Sequence, residues 1–377
     1  MSKHLKIFFA SALVACAGTV TAFSSPPQVG GLVLAGDPKF DSDSIASTEL
    51  QARRWLSFPG GRLCLNPATR HKFELAPMSA DLALNLGGYL GTGVLRLDGV
   101  VDVRLDAATA ASQSTTWYPY QIAFQAKYAN GAEISGHDFF TDANSTLIRS
   151  LDVRGGGSKE LVLGGKISNA KSARWDATRQ VIVVESEKYF YALRLLAGAK
   201  ELQPTVGKDT WSVRIPLGAE KATVTMSFGF AAASEGADAA MERACAALAR
   251  PASESLAAAK ATMDAYLRKV PQPTRWGIES IPAHGVTPER QRQAYYAAWS
   301  LVIQSIMNPF PENAAYPFPQ MSLGKPSLWA EGERTSPATC GWESFLGLQW
   351  FSFLEPETCW KACEVSASWR CNGPPRL

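Results

Sequence analysis

Hydrophobic and polar residues alternate along the first half of the chain, from about residue 33 to residue 230. The alternation is clearest at Tyr120, Ile122, Phe124, Ala126 and Tyr128, and again at Val224, Met226, Phe228 and Phe230. A period of two is that of a β-strand with one buried face. Asn130-Gly131, between two such stretches, is a strong signal for a hairpin turn. The pattern predicts an N-terminal antiparallel β-sandwich over 33–230.

The pattern becomes helical after Phe230. Residues 234–273 are rich in Ala, Glu and Lys, with one break at Pro251 and a stop at Pro271 and Pro273. They predict a helical linker made of two helices that follows the sandwich.

A third helical stretch begins at Thr287-Pro288, a capping residue followed by proline at the first helical position. Its apolar side is predicted to carry Tyr295, Trp299, Val302 and Ile306. A further helix is predicted from about Glu343 through Lys361. The fold class is therefore multidomain, β then α, and residues 287–377 are the beginning of an all-α domain.

Composition adds limits on the partners. The chain has 377 residues, 46% of them hydrophobic and 19% charged, so it can bury a real core. Its formal charge is 37 − 34 = +3, which does not favour nucleic acid as a partner. The 11 Trp, 10 Tyr and 17 Phe suit either a well-filled core or the stacking of rings on sugars.

The N-terminal residues have the layout of a secretory signal peptide over 1–22: a basic start, a short apolar run and small residues. Two processing sites remain open. Cleavage could follow Val20-Thr21-Ala22, or Leu13-Val14-Ala15-Cys16 could be a lipobox with Cys16 as the lipidated residue. Either one predicts a periplasmic or secreted protein, and the second a lipoprotein anchored to the outer membrane.

Metal and cofactor sites are not predicted. The chain has seven Cys and four His, and the late group Cys340, Cys359, Cys363 and Cys371 matches no zinc spacing. We interpret these residues as core cysteines, with a disulfide as the alternative in an oxidising compartment.

The stretch from Asn308 to Gly341 is too long for an ordinary connection, since loops beyond ~12–15 residues are usually functional. The candidate sugar-binding residues in and just after it are Trp329, Glu331, Glu333, Arg334, Trp342 and Glu343. Carboxylates and a guanidinium can hold sugar hydroxyls, and indoles can stack on a ring. The mixture predicts a carbohydrate site.

The segment CGWESFLGLQWFSFLEPETCWKA resembles the W-x-W-D-S-x-F stretch of family 63 glycoside hydrolases, mannosylglycerate hydrolases and trehalase-like enzymes. Trp342, Glu343, Ser344 and Phe345 carry the resemblance, with Glu343 where the family has Asp. It implies an (α/α)6 six-hairpin barrel, of which this chain holds the beginning. It also implies that Glu343 holds hydroxyls of the sugar in the cleaved subsite, with Trp342 beside it.

The same resemblance places the proton donor and the base in later hairpins of the barrel, so no catalytic residue is assigned within this chain. Twelve helices with loops need roughly 250–400 residues. We therefore expect an exported glycoside hydrolase that is truncated and inactive as given, with a C-terminal tail after about Ala362 that could follow a frameshift. The alternatives are a non-catalytic carbohydrate-binding protein and a polysaccharide lyase.

Overall fold

The computed structural model describes residues 41–47, 55–65, 82–90, 93–106, 109–273, 285–309, 319–321 and 349–361. The predicted signal peptide with Cys16, and the tail after Ala362, lie outside these ranges.

Strands dominate the described residues up to Ala232, and helices follow. In chain order the strands are β1 (Leu56–Ser57), β2 (Leu63–Leu65), β3 (Leu84–Leu90), β4 (Gly93–Leu105), β5 (Ala110–Tyr118), β6 (Gln121–Tyr128), β7 (Glu133–Phe140), β8 (Leu147–Arg154), β9 (Glu160–Lys166), β10 (Ser172–Asp176), β11 (Val181–Glu185), β12 (Tyr189–Ala197), β13 (Lys200–Glu201), β14 (Thr205–Val206), β15 (Thr210–Pro216), β16 (Ala222–Ala232), β17 (Ile306–Met307) and β18 (Gln320–Met321). The helices are α1 (Gly236–Ala247), α2 (Ala252–Leu267) and α3 (Pro288–Gln304).

Two large sheets contain almost all of these strands. The first has seven strands in the order β1-β2-β3-β4-β9-β15-β14, and the second has nine in the order β10-β11-β12-β16-β8-β7-β6-β5, with β13 beside β12. Neighbouring strands in both sheets pair antiparallel. The antiparallel arrangement predicted from the sequence is confirmed.

The facing sides of the two sheets share one hydrophobic core. Leu97, Val103 and Leu163 come from the first sheet, and Phe124 and Phe228 from the second, all in the same cluster. The period of two explains this sidedness: in β15, buried and exposed residues alternate without exception from Thr210 to Pro216. The result is a β-sandwich followed by helices, as expected.

Helix α1 covers the outer face of the nine-stranded sheet. Ala240, Met241 and Ala244 of α1 pack with residues of β11, β12 and β16 in a second buried cluster. Gly229 permits this close approach, because a Cβ at that position would lie 2.1 Å from the Ala240 carbonyl oxygen. The central strands are thus buried on both faces, which agrees with the unbroken apolar run of β11.

The Asn130-Gly131 hairpin forms as predicted, between β6 and β7. Gly131 has φ +80°, its N–H donates to the Tyr128 carbonyl at 3.0 Å, and Asn130 Oδ1 accepts from the Ala132 N–H at 3.1 Å. The left-handed conformation occurs at Gly131, where the missing Cβ removes its steric cost.

The two helices predicted in the linker and the helix predicted from Thr287 also form, with a difference at the end of the last one. Pro251 separates α1 from α2, and Thr287 caps α3, its Oγ1 accepting from the Arg290 N–H at 3.3 Å. Helix α3 ends at Gln304, however, so Ile306 lies in strand β17 and not on the apolar side of the helix. Of the helix predicted from Glu343 through Lys361, residues 349–354 and 356–361 are helical, and Glu355 before Pro356 interrupts them. Residues 343–348 lie outside the described ranges.

Candidate functional site

The sugar-binding side chains predicted from the sequence lie outside the described residues. These are Trp329, Glu331, Glu333, Arg334, Trp342 and Glu343. The structure describes instead both ends of the stretch that carries them, at residues 304–309 and 349–354, and residues 319–321 within it. We call residues 308–341 the site loop. The sequence predicts that this loop lies at one end of the helical domain and faces the sandwich, with Trp329, Arg334, Trp342 and Glu343 around a common cleft. That arrangement stays a prediction, because these side chains lie outside the described residues.

Helix α3 leads into the site loop and is buried along one side. Its buried residues are Tyr296, Trp299, Ser300, Ile303 and Gln304. Tyr295, on the predicted apolar side, is half-buried, and its hydroxyl donates to the Pro271 carbonyl at 2.8 Å. This hydrogen bond, together with the packing of α3, holds the helix against the residues that follow α2.

Gln304, the last residue of α3, joins the helix to both sheets of the sandwich. Its Oε1 accepts from the Ser57 N–H at 3.0 Å, and its Nε2 donates to the Pro119 carbonyl at 2.9 Å. Ser57 belongs to β1 of the first sheet, and Pro119 lies in the turn between β5 and β6 of the second. Gln304 is 0% exposed. A buried amide of this kind is stable because both of its ends are hydrogen-bonded.

The turn between β1 and β2 holds the residues that follow Gln304. The Gly60 N–H donates to the Ile306 carbonyl at 3.0 Å, and the Asn308 N–H donates to the Gly60 carbonyl at 2.8 Å. Arg62 Nη2 donates to the Pro309 carbonyl at 2.7 Å. The start of the site loop is therefore fixed to the sandwich through its backbone.

Gly60 is suited to this position for two reasons. Its φ of +80° lies in the left-handed region, and a Cβ there would come within 2.8 Å of Asn308 Oδ1. A residue with a side chain would be strained in conformation and would also push Asn308 away.

The short strands β17 and β18 give the site loop a second fixed point. Ile306 pairs with Met321, and Met307 pairs with Gln320, in antiparallel register. Gln320 and Met321 therefore lie beside the residues that directly follow α3.

The far end of the stretch packs on the same helix from which it starts. Trp350 and Phe353 both meet the Trp299 ring edge to face, with centroid distances of 5.4 Å and 6.1 Å. Lys269 Nζ forms an ion pair with Glu355 at 2.6 Å. Trp350 remains 48% exposed. Both ends of the stretch that carries the candidate residues are therefore anchored on α3.

Residues 41–47 pack against the same group of elements. Ser42 donates to Asp264 Oδ1 from its N–H at 2.8 Å and from its Oγ at 2.5 Å. Ser47 pairs with Trp117 of β5 through two backbone hydrogen bonds of 3.0 Å, and Ile45 is fully buried in the core. This segment connects α2 to the edge of the nine-stranded sheet.

Lys260 lies among three carboxylates at this connection. Its Nζ is 2.8 Å from Asp264, 3.1 Å from Asp41 and 3.4 Å from Asp43. Burial opposes the charged form of Lys260, yet hydrogen bonds to Asp264 and Asp41 raise its pKa above the ordinary value. Burial likewise acts against ionised Asp41, but hydrogen bonds from Lys260 and Ser44 lower its pKa. The carboxylates are already satisfied by Lys260 and do not form a vacant cation site.

A small pocket lies beside this connection. Its lining residues are Leu56, Ser57, Phe58, Pro59, Pro119, Tyr120, Phe140, Ala259 and Met263. The Ser57 hydroxyl donates to the Leu63 carbonyl, and the Tyr120 hydroxyl donates to Asp43 at 2.6 Å. Its hydroxyl groups are therefore engaged within the protein.

Metal-type clusters and membrane helices are absent from the part of the chain that the structure describes. There, groups of three or more His, Cys, Asp or Glu side chains placed to hold an ion do not occur. Cys64 and Cys359 are buried, and Cys245 is half-buried. Helices long and apolar enough to cross a bilayer do not occur among the same residues.

Comparison with known proteins gives distant structural likenesses alone. No family model and no curated protein matches the chain. A chain assigned as a kojibiose phosphorylase from the human microbiome is 9% identical, over 72% of this chain and 41% of its own length, with a TM-score of 0.47. A family 92 α-mannosidase from Bacteroides thetaiotaomicron is 10% identical, over 68% of this chain and 39% of its own, with a TM-score of 0.29.

Both of those names belong to carbohydrate-active enzymes, and this chain spans about two fifths of the length of each. With TM-scores below 0.5, the likenesses carry no argument about activity here.

Sequence reasoning missed Gly60, Arg62 and Gln304. A usable signal existed for two of them: Pro59-Gly60-Gly61 is a turn sequence, and Gln304 is polar within the apolar run from Leu301 to Ile306. The partners of these residues, up to 247 positions away, could not be read from the sequence.

Proposed function

We propose that this chain is part of an exported glycosidase-type protein that binds a sugar through the residues from Trp329 to Glu343, in and just after the site loop. One observation carries the proposal: the stretch from Trp329 to Glu343 combines three carboxylates, a guanidinium and two indoles between helical segments. Support comes from the order of the chain, a sandwich followed by helices, and from the motif at Trp342 and Glu343.

The roles follow from the chemistry of the side chains. Trp329 and Trp342 stack on the apolar faces of a sugar ring, while Glu333 and Glu343 accept hydrogen bonds from its hydroxyls. Arg334 donates two parallel bonds to a pair of oxygens. Glu343 takes the subsite next to the scissile bond, as the resemblance to family 63 glycoside hydrolases implies.

The proposed reaction class is O-glycosyl hydrolysis on the trehalase-like or mannosylglycerate hydrolase-like pattern. Such hydrolysis needs a proton donor on one side of the bond and a base or nucleophile on the other. By the resemblance, both of those carboxylates belong to barrel hairpins that follow the Glu343 helix. Glu343 is a substrate-binding group in this scheme.

The proposal places the protein outside the cytoplasm. Residues 1–22 act as the export signal, with Cys16 as the lipidation site if the lipobox is used.

The test is sugar binding by the whole 377-residue chain, measured by calorimetry and by tryptophan fluorescence. The probes are trehalose, mannosylglycerate and methyl α-glucoside. Glu343→Gln and Trp342→Ala are compared with Glu187→Gln, which changes an exposed residue between β11 and β12. We expect one probe to bind the parent and the control equally and the two site variants at least about tenfold more weakly. Equal binding by all four proteins, or none by the parent, would reject the proposal.

A further inference from the structure

Residues 41–47, which we call the strap, are hydrogen-bonded to both α2 and α3. The N–H and the Oγ of Ser42 donate to Asp264 Oδ1 of α2, at 2.8 Å and 2.5 Å. Near the other end of the strap, Gln293 Nε2 of α3 donates to the Ala46 carbonyl at 2.7 Å. The strap therefore joins the two helices through different residues.

The strap is also bound to the nine-stranded sheet. Ser47 and Trp117 of β5 exchange two backbone hydrogen bonds of 3.0 Å each. The Tyr120 hydroxyl, in the turn between β5 and β6, donates to Asp43 Oδ1 at 2.6 Å. Because β5 is the last strand in its sheet, the strap lies at the edge of that sheet.

Hydrogen bonds within the strap hold its seven residues together. The Ser44 N–H donates to the Asp41 carbonyl, and the Ala46 N–H donates to the Asp43 carbonyl, both at 3.1 Å. The side chain of Ile45 is 0% exposed and belongs to the core cluster that also contains residues of α2, α3 and both sheets. A short segment with its own hydrogen bonds and one buried apolar side chain moves as a single piece.

We propose that the strap is a latch that couples the edge of the nine-stranded sheet to α2 and α3, and that it opens as one unit. The proposal is independent of the proposed sugar site, because the strap and all the partners named for it lie among the described residues.

The position of Ile45 favours one concerted opening over separate local openings. Ile45 lies between the bonds of Ser42 to α2 and those of Ser47 to β5. When the first anchor is lost, the remaining contacts of the strap alone keep Ile45 out of water. The bonds of Ser47 to β5 should then also open more often, although they are not altered themselves.

Two serines of the strap form a matched pair for the test. The hydroxyl groups of Ser42 and Ser44 each donate to an aspartate, at 2.5 Å and 2.9 Å. The acceptor of Ser42 is Asp264 on α2, whereas the acceptor of Ser44 is Asp41 within the strap. Ser42→Ala therefore removes a bond between two elements, and Ser44→Ala removes a bond inside one of them.

Amide hydrogen exchange of the full chain at neutral pH measures the coupling. For Ser42→Ala we expect exchange at the Ser47 and Trp117 N–H groups to quicken by about tenfold or more. Ser44→Ala should leave both rates near those of the parent. Strand β15, in the other sheet, is the internal reference and should keep its parent rates in both variants.

Helix α3 provides the reciprocal test. Gln293→Leu removes the donor to the Ala46 carbonyl, and we expect it to quicken exchange at the Ser42 N–H, which is bonded to α2. Gln291→Leu is the control, because the Gln291 side chain donates to the Val286 carbonyl, outside the strap.

Three results would overturn the proposal. If Ser42→Ala leaves exchange at Ser47 and Trp117 unchanged, the contacts of the strap are independent of one another. If Ser44→Ala quickens exchange there as much as Ser42→Ala does, the bond to α2 is not what holds the strap. If β15 quickens together with the strap, the strap does not open separately from the rest of the fold.

Discussion

Arg149 and Asp138 form a two-pronged ion pair inside the sandwich. Arg149 Nε and Nη2 donate to the two carboxylate oxygens of Asp138, each at 2.7 Å, and the two side chains are 2% and 7% exposed. The third guanidinium nitrogen, Nη1, donates to the Leu82 carbonyl at 2.8 Å. Facing residues of β7 and β8 therefore carry a charge pair that is almost fully satisfied without water.

Arg149→Met should destabilise the protein strongly, because it leaves the Asp138 carboxylate buried without its cation. The expected loss in free energy of unfolding is about 3–5 kcal/mol, measured by urea denaturation. The double variant Arg149→Met/Asp138→Leu should lose less than the single one, since no charge then remains buried. A single variant as stable as the parent would contradict this account.

Lys260 should make stability depend on pH at both ends of the range. Its raised pKa gives a contribution that is complete below the ordinary lysine value of ~10.4 and is lost as pH rises through the folded-state pKa. The lowered pKa of Asp41 gives a contribution present above ~3.9 and lost as pH falls through its folded-state value.

The measurement is the thermal midpoint from about pH 3 to about pH 11, a range that includes both ordinary pKa values. Lys260→Met should lower the midpoint at neutral pH and reduce its fall at both extremes. Lys200→Met, which changes an exposed residue, is the control and should follow the parent curve. Identical curves for the two variants would exclude the role of Lys260.

Gly229→Ala should separate α1 from the nine-stranded sheet. The added Cβ would overlap the Ala240 carbonyl oxygen, which belongs to rigid helix backbone, so we expect a loss of about 1–3 kcal/mol or more in the free energy of unfolding. Gly218→Ala is the control, because a Cβ there meets nothing within 4 Å. Chemical denaturation of both variants checks the difference.

Features set by neighbouring residues could be predicted from the sequence. The Asn130-Gly131 turn and the Thr287-Pro288 start of α3 each depend on a few adjacent residues, and both form. The antiparallel sandwich was predictable for a similar reason, because the alternation of apolar and polar residues along a strand indicates which of its faces is buried.

Features set by distant contacts could not be predicted. Helical spacing placed Ile306 on α3, but pairing with Met321 and the hydrogen bond from Gly60 hold it in a strand. The ion pair of Arg149 with Asp138 depends on the register of two strands, which the residue types alone do not specify. The composition of the site loop indicated its chemistry, whereas its attachment to the sandwich depends on the fold.

Because α1 packs on the outer face of the nine-stranded sheet, the sandwich cannot be transferred to another protein without that helix. A fragment ending at Phe230 would uncover Val181, Val183 and Ala192 on the outer face of its larger sheet, three side chains that are now at most 4% exposed. Such a fragment would expose an apolar patch to solvent and would tend to self-associate. A fusion protein or a domain exchange should therefore place its junction after α1, so that the helix still covers the strands on which it packs.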